Sequence, residues 1–156
     1  MISPSRKRVF SKGDTELVDK ILIGRKLALM DTYLRQIREF SKLSVSEYEK
    51  NWKTQRIVER TLQILIEECI DIANHIIADK GLRLPVGYAD AVQVLMENKV
   101  INKKLAATME KMAKFRNVVI HQYEKIDPKI VVAILHKNLG DFERYKKAII
   151  RFLVSI

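Results

Sequence analysis

Apolar residues along most of this 156-residue chain recur every three to four positions, the spacing that lays a stripe along one side of an α-helix. Ile23, Leu27, Met30, Leu34 and Ile37 step by four, three, four and three. Asp14 is placed to cap that first helix, with Leu17, Val18, Ile21 and Leu22 beginning its apolar face. The pattern loosens over 41–52, where Ser44 or Ser46 is a candidate cap for a longer second helix. That helix is predicted over about 46–80, with an irregularity in its first turns. Val58, Leu62, Leu65, Cys69, Ile72 and Ile76 form its stripe, flanked by Ile66, Ile70, Ala73 and Ile77. So broad an apolar arc predicts contact with two or three neighbours, as at the centre of a bundle. Gly81 marks its end and 82–88 reads as a connector.

A short helix over 88–97 follows, then one over about 103–118 capped by Asn102. Asp127 before Pro128 is an N-cap with proline at the first helical position. The last helix turns Val131, Leu135, Phe142, Tyr145, Ile149 and Phe152 inward, with Asn138 in one core-phase slot and Gly140 as a candidate bend. Four or five helices with short connections predict an all-α, mostly up-and-down bundle. It forms one domain over 14–156 behind a basic arm over 1–13. Five Gly and three Pro leave too little punctuation for an all-β fold. No stretch reaches the length of uncharged apolar sequence that a membrane span requires, and the basic N-terminus lacks the apolar run of a signal peptide. The expected location is cytoplasmic. Cys69, the single cysteine, excludes an internal disulfide and fits a reducing compartment.

Charge narrows the function. Lys and Arg total 29 against 19 Asp and Glu, a net +10, which favours polyanions: nucleic acid first, anionic membrane second. Between 99 and 116, Lys99, Lys103, Lys104, Lys111, Lys114 and Arg116 face only Glu110 in sequence. Lys103, Lys104, Lys111 and Lys114 are therefore candidate RNA contacts.

Metal chemistry finds little support. His75, His121 and His136 have no histidine partner four residues away, and no CxxC is present. Glu67, Asp71 and His75 share a slowly drifting helix face. Two carboxylates and an imidazole in line could hold a divalent ion, but the favoured reading is a polar seam, satisfied internally or against another subunit. No metal and no cofactor are expected. Gly-rich phosphate loops and a GxSxG elbow are absent.

Arg116 and His121 carry a different chemistry. A guanidinium holds a scissile phosphate and stabilises its added negative charge. An imidazole takes a proton from a ribose 2′-OH or gives one to a leaving 5′-oxygen near neutral pH. Together they suffice for metal-free RNA cleavage by internal transesterification. Spacing alone is a weak signal, because five residues on an ideal helix differ by about 140° in azimuth. Arg116 and Tyr123, seven apart, return to nearly one face; His121 joins them only if the helix ends or unwinds between.

The run 116–127, RNVVIHQYEKID, resembles the R-x4-H-x-Y signature of the HepT-like branch of the HEPN superfamily. Residues 59–77, ERTLQILIEECIDIANHII, resemble the same branch's long second helix, and Pro85, Tyr88 and Asp90 fall where its connector lies. The resemblance spans about residues 14–152. It implies a helical bundle that dimerises with its motifs facing across a cleft, and a metal-independent ribonuclease toxin. It also implies an MNT-type nucleotidyltransferase partner that neutralises the toxin by transferring AMP to the motif tyrosine. On this chain Arg116 and His121 become the catalytic pair, Asn117 a supporting polar group and Tyr123 the modified residue. The superfamily also contains non-catalytic members that bind nucleotide or RNA or serve as adaptors, and that alternative stays open from sequence. A homodimer is expected on two further grounds: the broad arc of the second helix, and the Glu67–Asp71–His75 seam as a candidate two-fold contact.

Overall fold

The computed structural model describes residues 17–156, and all its regular elements are helical. The expected cap at Asp14 and the basic arm lie outside the described residues. Four long helices, α1 (Lys20–Arg38), α3 (Trp52–Asp79), α5 (Lys103–His121) and α7 (Leu139–Ser155), alternate with short α2 (Val45–Lys50), α4 (Tyr88–Glu97) and α6 (Pro128–Ala133). The all-α bundle expected from the periodicity is present.

Caps explain most of the boundaries. Asp19 accepts from the Leu22 N–H and opens α1, so Leu17 and Ile21 are exposed where the sequence suggested the start of an apolar face. Ser44 and Glu47 form a reciprocal capping box on α2. Asn51 then breaks the expected long helix by ending α2 in an extended conformation and capping α3 through the Thr54 N–H. Asn102 caps α5, which runs to His121, a turn beyond its expected end. Asp127 and Pro128 start α6 as expected. The irregularity placed at Gly140 comes earlier: Ile134–Asn138 forms a wide π-helical turn between α6 and α7. His136 Nε2 lies 2.6 Å from the Leu43 carbonyl and ties this turn to the corner before α2.

Cross-helix bonds give the direction of packing. The Asp19 N–H donates to Asp79 at 3.1 Å, and Lys26 pairs with Glu68 and Asp71 at 3.5 and 3.4 Å, so α1 and α3 run antiparallel. Lys20 bonds the Ile156 carbonyl, Lys146 pairs with Asp31, and Arg38 pairs with Glu143, so α1 and α7 are antiparallel too. Helix α3 lies at the centre, with Val58, Leu62, Leu65, Ile66, Cys69, Ile70, Ile72, Ala73, Ile76 and Ile77 all buried within one chain. The broad arc is thus covered internally and gives no argument for a second copy. Tyr145 sits wholly inside this core, its hydroxyl donating to the Cys69 carbonyl at 2.6 Å. Burial pushes the Tyr145 phenol and the Cys69 thiol up from their ordinary values and keeps both neutral.

Two helix ends use the same closure with different residues. After α3, Gly81 is left-handed at φ 63° and the Leu82 N–H reaches back to the Ile77 carbonyl at 2.9 Å. After α4, the Val100 N–H reaches the Leu95 carbonyl at 2.9 Å, but the left-handed position at φ 59° is held by Lys99. A side chain there is strained. Replacement of Lys99 by glycine is expected to raise stability by about 1 kcal/mol in urea unfolding. Tyr145→Phe is expected to lower it by about 1 kcal/mol, the net worth of one buried hydrogen bond, measured the same way.

Candidate functional site

Helix α5 directs Arg116 inward, toward α3 and α4. Its side chain is 15% exposed, and the guanidinium is held on three sides. Nε donates to Glu67 Oε1 of α3 at 3.1 Å, and Nη1 donates to Asn117 Oδ1 at 3.2 Å. The guanidinium carbon lies 4.5 Å from the centre of the Tyr88 ring at the start of α4, a cation–π contact. Gln63, one turn earlier on α3, donates to the same Glu67 Oε1 at 2.9 Å and fixes the carboxylate. Among the described residues two of the five guanidinium N–H groups are used, leaving three donors for an anion. The arrangement fixes a planar cation before any ligand arrives.

Tyr88 is itself positioned by the connector. Arg83 makes a two-pronged contact with Asp90 at 2.8 and 2.9 Å and bonds both Glu97 oxygens at 3.0 Å. Asp90 also accepts from the Val86 N–H at 2.9 Å. Arg83 first, and then this N–H, hold the Asp90 carboxyl down at about 2, while the paired carboxylates push the Arg83 guanidinium up. The network pins the connector and leaves Leu84 and Val86 in solvent beside the start of α4.

His121 is the last residue of α5 and is exposed. The helix is continuous from Arg116 to His121, so the two side chains diverge by about 140° within one chain. The chain leaves the helical path only after His121: Gln122 takes φ −141° and ψ 42°, and Tyr123–Lys125 forms a single 3-10 turn. Tyr123 is 64% exposed, and its hydroxyl has no hydrogen-bond partner among the described residues, so it is not a packed structural tyrosine. Arg116 and Asn117 are brought together; His121 and Tyr123 stand beyond them at the end of α5.

All four candidate lysines are exposed, but they do not form one cluster. Lys103 and Lys104 occupy the first turn of α5, with Lys103 about 20 Å along the axis from Arg116. Lys111 and Lys114 lie between. The Glu67–Asp71–His75 line is divided: Glu67 serves Arg116 and Asp71 serves Lys26. Among the described residues no group of three His, Cys, Asp or Glu side chains is arranged to hold a metal. Sequence reasoning missed Gln63 and Tyr88 as supports of Arg116, and Glu67 as its counterion. The signal for Glu67 was its place on the inner face of the long helix, but periodicity does not say which helix that face meets.

Comparison with known proteins identifies the family and the fold. Residues 30–149 match the family model described as ribonuclease HepT-like. The mRNA nuclease HepT of Shewanella oneidensis is 31% identical over 124 residues, which is 80% of this chain and 92% of that protein. The tRNA nuclease HepT of Aphanizomenon flos-aquae is 25% identical over 139 residues, 89% of this chain and 95% of the relative. Among solved structures, a tri-AMPylated Shewanella oneidensis HEPN toxin in complex with an MNT antitoxin superposes with a TM-score of 0.77 at 30% identity. It covers 83% of this chain and 97% of its own. With the motif in place, the fold shared and the family model matched across most of its length, the chain belongs to the ribonuclease HepT-like family of HEPN proteins.

Proposed function

We propose that this protein is the toxin of a toxin–antitoxin pair, a metal-independent endoribonuclease acting on cytoplasmic RNA. In this reading it works as a homodimer and is neutralised by AMP transfer to Tyr123 from an MNT-type nucleotidyltransferase. The observation that carries the reading is the built cradle of Arg116, with a carboxylate, an amide and an aromatic face spent on orienting one guanidinium. A surface arginine kept for solubility has no need of such support.

Arg116 holds the scissile phosphate through its free N–H donors and stabilises the additional charge as the 2′-oxygen attacks phosphorus. His121 accepts the 2′-OH proton, and a second imidazole protonates the departing 5′-oxygen, leaving a 2′,3′-cyclic phosphate. The divergence of Arg116 and His121 on one continuous helix is what makes two copies necessary. Two α5 helices facing across a two-fold let the arginine of one chain work with the histidine of the other. Asn117 acts by bracing Arg116. The exposed, unbonded hydroxyl of Tyr123 suits a group that must enter another enzyme's active site. An AMP attached there places a phosphodiester anion near the arginine and an adenosine across the path of the RNA strand.

The deciding experiment is RNA degradation by the purified chain beside His121→Ala. Cleavage by the first and its loss by about 10²–10⁴ in the second is the expected result; equal degradation by both would sink the assignment. Arg116→Lys should also lose about 10²–10³ in rate, because lysine lacks the planar fork. Activity should persist in chelator. Glu67→Ala should lower kcat by about 10² through a misplaced guanidinium, with KM little changed and Glu67→Gln recovering much of the rate. Light scattering should give a dimer at micromolar concentration. Incubation with the nucleotidyltransferase and ATP should add AMP mass to the wild-type chain and not to Tyr123→Phe, which should keep much of its nuclease activity.

A further inference from the structure

A groove of about 1030 Å³ opens at the other end of α5 from His121, between the α4–α5 corner, the first turn of α5 and the last helix. Lys99, Lys103 and Lys104 line it from one side; Lys137, Arg144, Lys147 and Arg151 line it from the other. Among the described residues only Arg144 of these seven pairs with a carboxylate, that of Asp141 at 2.9 Å. Six uncompensated cations facing one depression repel one another, an arrangement that a bound polyanion relieves.

We propose that this groove is a docking site for the phosphodiester backbone of the RNA strand, separate from the cleavage site and continuous with it along α5. The inference rests on the ribonuclease reading and deepens it. Helical geometry supplies the continuity. Lys103 and His121 are eighteen residues apart on α5, five whole turns, and therefore share one azimuth about 27 Å apart. Lys114 lies within about 20° of the same line, between them. A strand leaving the groove meets Lys114 and then His121 on one exposed face, while Arg116 reaches around from the inner face.

The chemistry of the lining favours nucleic acid over protein. Five of the seven cations are lysines, point charges that track a backbone without demanding a planar bidentate partner. Protein interfaces instead deplete charge at their centre and place aromatic anchors there. Here the one aromatic in the lining, Phe152, is partly buried against the core. Lys99 adds an independent sign, because it holds a left-handed position that glycine holds at the equivalent end of α3. A charged side chain stands at the groove rim at a position where the backbone favours glycine.

The test compares the full chain carrying His121→Ala, so that RNA survives, with the same chain also carrying Lys137→Gln, Lys147→Gln and Arg151→Gln. All three added changes are at exposed positions, and an unchanged unfolding midpoint checks the fold. The probes are a polyuridine strand long enough to span both sites and a tetrauridine. Each phosphate contact to a single strand contributes about 0.7 to the slope of log K against log salt, so the long strand should lose about 2 from that slope and about tenfold or more in affinity. Tetrauridine, too short to span both sites, docks in the groove itself and should lose salt dependence in the same way. An unchanged slope with the long strand overturns the proposal. So does unchanged RNA binding with lost binding of the nucleotidyltransferase, which would make the groove a seat for an acidic protein surface. Cleavage by the wild-type chain is a separate measurement, so absence of nuclease activity and absence of the docking site give different results.

Discussion

The structure depends on covering α3. Ten of its side chains are buried, around much of its circumference, and no single neighbour reaches them all. Each Leu or Ile removed from water contributes about 1.5–3 kcal/mol, so leaving one side of α3 open would forfeit much of the stability of a domain this size. Helices α1, α4 and α5 are held against it for that reason, and Tyr145 of α7 reaches its Cys69 carbonyl. The short α2 follows from the same demand: the break at Asn51 lets the chain turn from the α1 corner onto the start of α3.

The site is a consequence of this packing. Glu67 and Gln63 lie on the α3 edge that meets α5, and Tyr88 begins the helix that packs on both. One ion pair of this kind adds little to stability, since pairing barely offsets desolvation and lost side-chain freedom. Its effect is geometric. A guanidinium constrained by a carboxylate, a neighbouring amide and a ring has little rotamer freedom left to lose, which is what the proposed phosphate contact requires. The exposed Arg83–Asp90–Glu97 network extends the same logic to the connector, fixing the start of α4 and hence the ring of Tyr88.

Charge is organised along α5 by face. The inner face carries Arg116, partly neutralised by Glu67; the outer face carries Lys103, Lys114 and His121, which have no carboxylate partner among the described residues. A helix that separates the two sets by azimuth keeps the arginine in register with the core while exposing the imidazole to solvent. Distance along the axis then separates the basic groove from the His121 end of α5.

The sequence by itself determined the helices, their apolar stripes and most of their caps, because a 3.6-residue period and a capping side chain are local facts. Ile23 to Ile37 on α1, and Asn102 and Asp127 as caps, are where the pattern puts them, whereas Ser44 caps only the short α2 and Asn51 caps the long helix. The motif residues were legible through their resemblance to a family signature, and the proposed roles of Arg116 and His121 rest on that resemblance because their spacing alone is a weak signal. Only the tertiary structure decided what each face meets. It assigned Glu67 to Arg116 and Asp71 to Lys26, where the sequence showed one continuous seam. It covered the broad arc of α3 within a single chain. It gathered Lys103 and Lys104 with Lys147 and Arg151, more than forty residues away, into one groove. Periodicity records that a side chain points inward or outward; the partner it finds there depends on helix order and crossing, which are set by the packing of the whole core.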